Sequence, residues 1–409
     1  MMIRQHMGYM SKTFMQTGVD GLNPNYEIDS DWLAKIYKCC PYLTHLSLKG
    51  GKLSFNLFTE RTFGLCEQLV SLNLLSARYM KTPYLSTLLR FPKLRELTIG
   101  IEYPGEDLLS LRNLLSTSSI TLTTLAIRWY VPDPYPEDLT PLLLNCPNLE
   151  RLALQWFGAS PNINSIPSSV TDIQLLGGAI TDCRQIIDAL QHTSSLKRLS
   201  ISKLPCSIEE LESILRVNRH TLEALTFHDN SKLSLTESNL EVCKNLKCLE
   251  LQHFDREKGG GKVGRIINKL FRDQLETLVG AYDEPCFWDS QWTNVKYLKV
   301  SMKPRHTTTK AGIQRLTTAF PNVEYMEIHY HDRGNITADE WRHTFSQFHG
   351  LKGIYLQNAE GNYESTFYNS QYYTSLKGAY TEWHDNAANT VNAHFCYPTC
   401  WLLDYHNLQ

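Results

Sequence analysis

One short apolar pattern returns along most of the chain. Apolar residues stand at a first position, three residues later, and two residues after that, as in Leu43-Leu46-Leu48. The copies follow one another about 26 residues apart, and a period of this length indicates an internal repeat. Further copies begin at Leu69, Leu94, Leu122, Leu149, Val170, Leu196, Leu222, Leu246, Leu275, Val295, Val323 and Leu351.

Each copy predicts one short β-strand. Its last two apolar positions alternate with polar ones, as expected for a strand with one buried face. About thirteen such strands would lie side by side in a parallel sheet, joined by crossovers that contain helices. Ser207 and Glu210 form a capping box ahead of an apolar run at helical spacing, which predicts the start of a helix. Further helices are predicted at residues 31–40, 182–192 and 310–320, and after Thr82 and Thr337.

The residue three positions before the first apolar residue defines the type of repeat. Cysteine or phenylalanine fills it in many copies, and both residue types close the gap between helix and sheet. These residues are Cys40, Cys66, Cys146, Cys243, Phe91, Phe320 and Phe348. With segments such as CPNLERLAL, CKNLKCLEL and FPNVEYMEI, the chain resembles the ribonuclease-inhibitor-like, cysteine-containing leucine-rich repeats of F-box proteins. The resemblance covers about residues 30 to 380.

This resemblance implies a fold and a division of the chain. The fold would be an α/β leucine-rich-repeat solenoid, a horseshoe of about 13 repeats with the parallel sheet on the concave face and helices on the convex face. Residues 29–380 would form the solenoid. Residues 1–28 would be an N-terminal extension, poorly ordered or capping, and residues 381–409 a C-terminal cap.

For function, the resemblance implies a non-enzymatic protein that binds another protein, as the substrate-recognition subunits of cullin-RING ubiquitin ligases do. F-box proteins also carry an N-terminal helical module that binds a Skp-type adaptor. The Leu-Pro opening and the apolar helices of this module are not evident before Asp31. Either the sequence is truncated or the protein has lost the module. We therefore expect adaptor binding only if a fuller N-terminus exists. Two alternatives stay open: a GTPase-activating or other regulatory protein of the Ran-GAP type, and a plain assembly scaffold.

Composition narrows the choice of partners. The net charge is −2, so no overall field attracts nucleic acid or an anionic membrane. No uninterrupted apolar stretch reaches the length of a membrane span, and residues 1–20 lack the apolar core of a signal peptide. We expect a monomer in the cytoplasm or nucleus, with reduced cysteines and a protein partner, and without a cofactor, nucleic acid or membrane.

Two segments suggest chemistry but match its requirements poorly. Cys396 and Cys400, with His394 nearby, offer fewer paired ligands than a zinc site usually has, so packing is favoured over metal. Residues 258–264 are rich in glycine, but Val263 stands where a phosphate-binding loop has its serine or threonine. A flexible insertion is the better interpretation. No Gly-x-Ser-x-Gly motif occurs, and we predict no catalytic residue and no metal site.

The candidate binding residues lie between and beside the strand leucines. Side chains there point away from the core onto the concave face, and their balanced charge favours a protein over a nucleic acid. Trp129 and Trp156 recur one repeat apart, as hot-spot residues or, alternatively, as cover for the edge of the core. The predicted interface consists of Arg128, Trp129, Tyr130, Arg151, Gln155, Trp156, Arg198, Glu250, Tyr297, Tyr325, His329 and Tyr355.

Overall fold

The computed structural model describes most of the repeat region in two compact units, and the division along the chain falls between Ser195 and Leu196. The described residues are 15–18, 27–49, 52–53, 58–74, 91–101, 111, 115, 120–129, 138–156, 162–177, 184–202, 206–228, 237–252, 260–280, 290–302, 310–330, 345–348 and 350–358. The helix starts predicted after Thr82 and Thr337, and the cysteines near the C-terminus, lie outside them.

The first unit alternates strands with short helices. Its strands are β1 (Met15–Gly18), β2 (Glu27–Ile28), β3 (His45–Lys49), β4 (Lys52–Leu53), β5 (Ser71–Leu74), β6 (Glu96–Ile101), β7 (Thr124–Trp129), β8 (Arg151–Trp156) and β9 (Asp172–Leu176). Its described helices are α1 (Ser30–Cys39), α2 (Phe63–Gln68), preceded by a 3₁₀ turn at Glu60–Thr62, α3 (Thr140–Leu144) and α4 (Arg184–Gln191).

The second unit follows the same plan. Its strands are β10 (Arg198–Ser202), β11 (Ala224–His228), β12 (Cys248–Gln252), β13 (Thr277–Val279), β14 (Tyr297–Met302), β15 (Tyr325–Tyr330) and β16 (Gly353–Asn358). Its described helices are α5 (Ile208–Val217), α6 (Glu237–Leu240), α7 (Gly260–Phe271) and α8 (Lys310–Ala319).

The strand order confirms the predicted parallel sheet. In the first unit the order is β1-β3-β5-β6-β7-β8-β9, and in the second it runs from β10 to β16 in sequence. The paired strands within each unit are parallel, with the leucines in register, as in Leu225 beside Leu249. Every repeat predicted from the apolar pattern forms one of these strands. The chain is therefore a leucine-rich-repeat protein.

The N-terminal region adds a strand that the repeat pattern did not predict. β1 pairs with β3 in parallel, and Met15 lies beside Leu46. β2 and β4 form a separate parallel pair. Residues 15–18 lack the leucine spacing of the repeats, so periodicity could not identify them as part of the sheet. Whether the N-terminal extension as a whole acts as a cap stays a prediction.

The core consists of the strand leucines and, in many repeats, the residue three positions before the first leucine. Cys66, Cys146 and Cys243 are buried there. Burial raises the pKa of the Cys146 and Cys243 thiols to about 12, because the apolar surroundings disfavour the thiolate.

Aromatic residues fill the same core position in other repeats. Phe91, Phe320 and Phe348 are buried, as predicted. Trp292 occupies this position as well, and its ring stacks on that of Phe320 with centroids 6.1 Å apart. The position therefore accepts side chains of very different volume, which explains why its pattern is looser than that of the leucines.

Helix starts follow local capping chemistry. The Asp29 side chain accepts a hydrogen bond from the Trp32 amide at the start of α1. The capping box predicted at the start of α5 is present: the Glu210 amide donates to Ser207 Oγ, and the Ser207 amide donates to Glu210 Oε2.

The glycine-rich segment corrects one expectation. It was interpreted as a flexible insertion, but α7 begins at Gly260 and includes Gly264. Helical glycines cost roughly 1 kcal/mol each relative to alanine. The burial of Ile267 and Phe271, one turn apart, offsets this cost.

Each repeat stacks on the preceding one through two sets of hydrogen bonds. The residue after the first leucine donates its amide to the carbonyl of its equivalent one repeat earlier, as from Glu223 to Lys197 at 2.8 Å. The residue before that leucine adds a side-chain bond to the preceding repeat in many copies. Examples are Asn148 Nδ2 to the Ile120 carbonyl (2.8 Å), Asn245 Nδ2 to the His220 carbonyl (2.7 Å) and Asn322 Nδ2 to the Thr293 carbonyl (2.8 Å).

We predict that Asn245→Ala destabilises the protein by about 1 kcal/mol, the net contribution of a typical hydrogen bond. The His220 carbonyl would lose its side-chain donor. Urea unfolding of the full chain measures this loss. The matched control is Lys244→Ala, because Lys244 is the exposed residue next to Asn245. Equal stability of the two variants would show that the side-chain bond does not support stacking.

Candidate binding face

Alternation within the strands divides the sheet into two faces. In β8, Leu152 and Leu154 point into the core, and Arg151, Ala153 and Gln155 occupy the opposite positions. We call the side of the sheet opposite the leucines, which carries Arg151, Ala153, Gln155 and their equivalents in the other strands, the polar face. Because the strands pair in register, equivalent residues of neighbouring repeats form rows across it.

In the first unit, two cross-strand pairs join residues of this face. Arg128 and Gln155 are register partners, and Arg128 Nε donates to Gln155 Oε1 at 2.7 Å. Both side chains are buried. Arg151 and Asp172 are also register partners, with Nε and Oδ2 3.6 Å apart. Arg151 keeps 37% of its side chain exposed, whereas Asp172 keeps 1%.

In the second unit, Glu327 is the centre of a buried cluster. Tyr297 Oη donates to Glu327 Oε2 at 2.9 Å, and Lys299 Nζ lies 2.9 Å from Glu327 Oε1. The side chains of Lys299 and Glu327 are only 13% and 8% exposed. Both carboxylate oxygens therefore have a donor, which is the condition for a stable carboxylate in such a place.

A second buried carboxylate lies in the same row. Glu250 of β12 is 2% exposed and accepts a hydrogen bond from Thr226 Oγ1 at 3.5 Å. Thr226 and Glu250 are register partners. Burial and cross-strand bonds fix these side chains, so the face presents a set pattern of charge.

The predicted interface residues divide into buried and accessible groups. Arg128, Gln155, Glu250 and Tyr297 are buried on the polar face. Arg151, Arg198 and Tyr325 lie on the same face and are half-buried, so their side chains can reach a partner. Tyr130 and the side chains of Trp129, His329 and Tyr355 lie outside what the structure describes.

The structure corrects the placement of Trp156. This residue was counted with the concave face, but it follows Leu152 and Leu154 at strand spacing and is 1% exposed. It therefore lies on the leucine face, in agreement with the alternative that it covers the core. Trp129 is its register partner in β7. The period of two along the strand already separated Trp156 from Arg151 and Gln155.

Sequence reasoning missed an alternating charge row at the edge of the second unit. Each repeat of this unit contributes the one residue that directly follows its first apolar position. In chain order these are Lys197, Glu223, Lys247, Glu276, Lys296, Glu324 and Lys352. Lys352 Nζ lies 2.7 Å from Glu324 Oε2, with side chains 58% and 30% exposed. Aligning the repeats would have revealed this alternation. Opposite charges cancel along the row, and exposed pairs of this kind contribute little to stability.

A metal site and a membrane span are two other features that the described part of the chain could contain. No three His, Cys, Asp or Glu side chains there are placed to hold a metal ion. Among those same residues, no helix is long and apolar enough to span a membrane.

Comparisons with known proteins identify no family. No family model matches the chain, and no curated protein matches it. Solved structures do resemble it. Rad7, from its complex with Elc1 in yeast, is 15% identical with a TM-score of 0.46, covering 75% of this chain and 85% of that one.

Two further solved structures share this level of likeness. The leucine-rich-repeat protein LegL7 of Legionella pneumophila is 14% identical with a TM-score of 0.37, covering 80% of this chain and 98% of its own. TLR13, from a complex with the RNA ssRNA13, is 14% identical with a TM-score of 0.39, covering 79% of this chain and 57% of that one.

We predict that Lys299→Met destabilises the protein by about 3–5 kcal/mol, because it leaves the Glu327 carboxylate buried without its cation. Adding Glu327→Gln should recover part of the loss, since the amide oxygen still accepts from Tyr297. The control is Lys352→Met at the exposed pair with Glu324, where we expect less than about 1 kcal/mol. Urea unfolding measures all three variants, and similar losses at the two lysines would contradict this account.

We predict that Trp156→Ala costs about 3–5 kcal/mol of folding stability, because it leaves a large cavity in the core. Tyr42→Ala, which truncates an aromatic ring that is 73% exposed, should change stability little. Thermal and urea unfolding compare the two variants. Near-native stability of Trp156→Ala would mean that its ring is not part of the core.

Proposed function

We propose that this protein is non-enzymatic and binds another protein through the polar face of its sheet. The observation that carries the proposal is the set of cross-strand pairs on that face, above all Arg128–Gln155, Arg151–Asp172 and Lys299–Glu327. They hold long side chains in fixed positions on a rigid scaffold. A preorganised surface loses little conformational entropy when it binds.

The mixture of charges on the face favours a protein partner. A nucleic-acid groove would show an excess of basic residues. On this face arginine and lysine alternate with carboxylates, and tyrosines stand beside them, as in many protein interfaces. The charged residues concerned are Arg128, Arg151, Asp172, Arg198, Glu250, Lys299 and Glu327.

We propose further that the partner is a substrate presented for ubiquitination. The support is the repeat type: cysteine at the core position before the first leucine, buried in Cys66, Cys146 and Cys243, is typical of the repeats of F-box proteins. In such a protein the repeats bind the substrate and another segment binds the ligase. This role predicts a partner-binding face without a reaction centre.

Affinity capture tests both levels of the proposal. The full chain, a polar-face variant (Arg151→Ala, Arg198→Ala and Tyr325→Ala) and a control variant of the charge row (Lys197→Ala, Lys296→Ala and Lys352→Ala) are compared. Captured proteins are quantified by mass spectrometry. A protein retained by the control and lost by the polar-face variant supports binding through this face. Identical capture by all three would reject it.

The identity of the captured proteins separates the finer roles. Adaptor and cullin subunits would support the ubiquitin-ligase role. A small GTPase in their place would favour a regulatory protein of the Ran-GAP type. Other multiprotein complexes would indicate an assembly scaffold.

For a partner so identified, we predict that Tyr325→Ala or Arg151→Ala weakens binding by roughly tenfold or more, or about 1.4 kcal/mol. Both side chains are accessible on the polar face. Tyr325→Ala leaves the leucine core intact, whereas Arg151→Ala also removes the cation beside the buried Asp172, so urea unfolding must first show that this variant is folded. Lys352→Ala serves as the control. Isothermal titration gives the affinities, and an equal effect of all three substitutions would argue against a defined hot spot.

A further inference from the structure

The described helices of the second unit lie on one side of its sheet. Parallel strands that follow one another in sequence, joined by right-handed crossovers, place every crossover on the same side. That side is the leucine face, because the buried residues of α5, Leu211, Ile214 and Leu215, need an apolar surface. We call the outward surface of α5, α6, α7 and α8 the helix side. It is separate from the polar face.

The first two helices of the helix side are acidic. Arg216 is the one basic residue in α5 and α6, and it pairs with Glu212 on the next turn of α5. Carboxylates outnumber it by five to one when the residue directly after α6 is included. These carboxylates belong to Glu209, Glu210, Glu212, Glu237 and Glu241.

The later helices are basic. Neither α7 nor α8 contains an acidic residue. Arg265, Lys269 and Arg272 follow one another at helical spacing and are exposed, on the side of α7 opposite the buried Ile267 and Phe271. The net charge of −2 conceals this separation of charge, because opposite signs cancel in the sum.

Ion pairs within the chain keep these charged groups at the surface. Lys269 pairs with Glu237 across the boundary between α7 and α6, with side chains 67% and 42% exposed. Arg272 Nε lies 3.1 Å from Asp273 Oδ1, with side chains 47% and 74% exposed. Lysine has three donors and arginine five, so one carboxylate does not use them all. The groups can therefore bind further ions of opposite sign.

A surface with adjacent acidic and basic helices is complementary to a second copy of itself. A twofold axis that runs along the helices reverses their order in the second copy, so both acidic-to-basic contacts form at once. We propose that two copies of this chain associate through the helix side, with the acidic helices α5 and α6 of each copy against the basic helix α7 of the other. This dimer replaces the monomer expected from the sequence. It leaves the polar face open, so it does not depend on the proposed function.

Sedimentation equilibrium of the full chain tests the association. Contacts between exposed charges weaken with salt, because the Debye length shortens from about 10 Å at about 0.1 M salt to about 3 Å at about 1 M. We expect a dimer at the lower salt concentration and a dissociation constant at least about tenfold higher at the other. A monomer at every protein concentration in low salt, or a dimer that salt does not weaken, would overturn the proposal.

Charge reversal tests which helices meet. One variant carries Arg265→Glu and Arg272→Glu, so its helix side is acidic throughout. A second variant carries Glu209→Lys and Glu241→Lys, so its acidic helices gain basic charge. All four residues are exposed, and we expect both variants to fold. Each variant alone should dimerise at least about tenfold more weakly than the unchanged chain, because like charges then face one another.

An equal mixture of the two variants separates a lost contact from a lost fold. In a mixed dimer both contacts again join opposite charges, so the mixture should dimerise more tightly than either variant alone. The matched control reverses two exposed lysines of the charge row, Lys197→Glu and Lys352→Glu, and should leave the dimer unchanged.

Two outcomes of the mixing experiment would overturn the assigned contact. In the first, the mixture associates no better than its components. In the second, the charge-row control weakens the dimer as much as the helix variants do. Tyr325→Ala, on the polar face, should not affect dimerisation. The measurement requires no partner protein, so the proposed function can fail while this dimer is confirmed, and the reverse can also occur.

Discussion

The stacking of one repeat on the next is the constraint on which the rest of this structure depends. Each strand donates and accepts backbone hydrogen bonds through residues at equivalent positions, and the leucines of neighbouring repeats meet in register. A single repeat cannot bury its own apolar side. Each repeat therefore adds to the stability of the array. Side chains at the same position of successive repeats lie next to one another in a row across the sheet.

This constraint explains why the fold could be predicted and part of the face could not. The leucine positions repeat because every strand needs them, and the capping box at Ser207 is local, so both were visible in the sequence. Trp292 was missed because its position tolerates cysteine, phenylalanine or tryptophan, a set that a search for one residue type does not reveal. Trp156 was misplaced although strand alternation alone assigns it to the leucine face.

The polar pairs depend on information that one repeat does not contain. Lys299 meets Glu327 through strand register, but Tyr297 reaches the same carboxylate diagonally, from a residue two positions earlier on β14. Such a contact depends on rotamers and on how deeply the row is buried. The burial of Glu250 and Glu327 accompanies contacts with side chains of neighbouring strands, which the apolar pattern of one repeat does not encode.

The two faces of the sheet consequently respond to substitution in different ways. The core position three residues before the first leucine holds cysteine, phenylalanine or tryptophan in different repeats, so its volume is not fixed. The polar face has no such freedom, since a buried carboxylate requires its donors at hydrogen-bond distance and a lone charge left behind is costly. Binding through this face is therefore selective, because it disfavours partners that would displace the donors of the buried carboxylates. A partner must leave the cross-strand donors of Glu250 and Glu327 in place, because a surface that displaced one of them would leave a buried carboxylate without its partner.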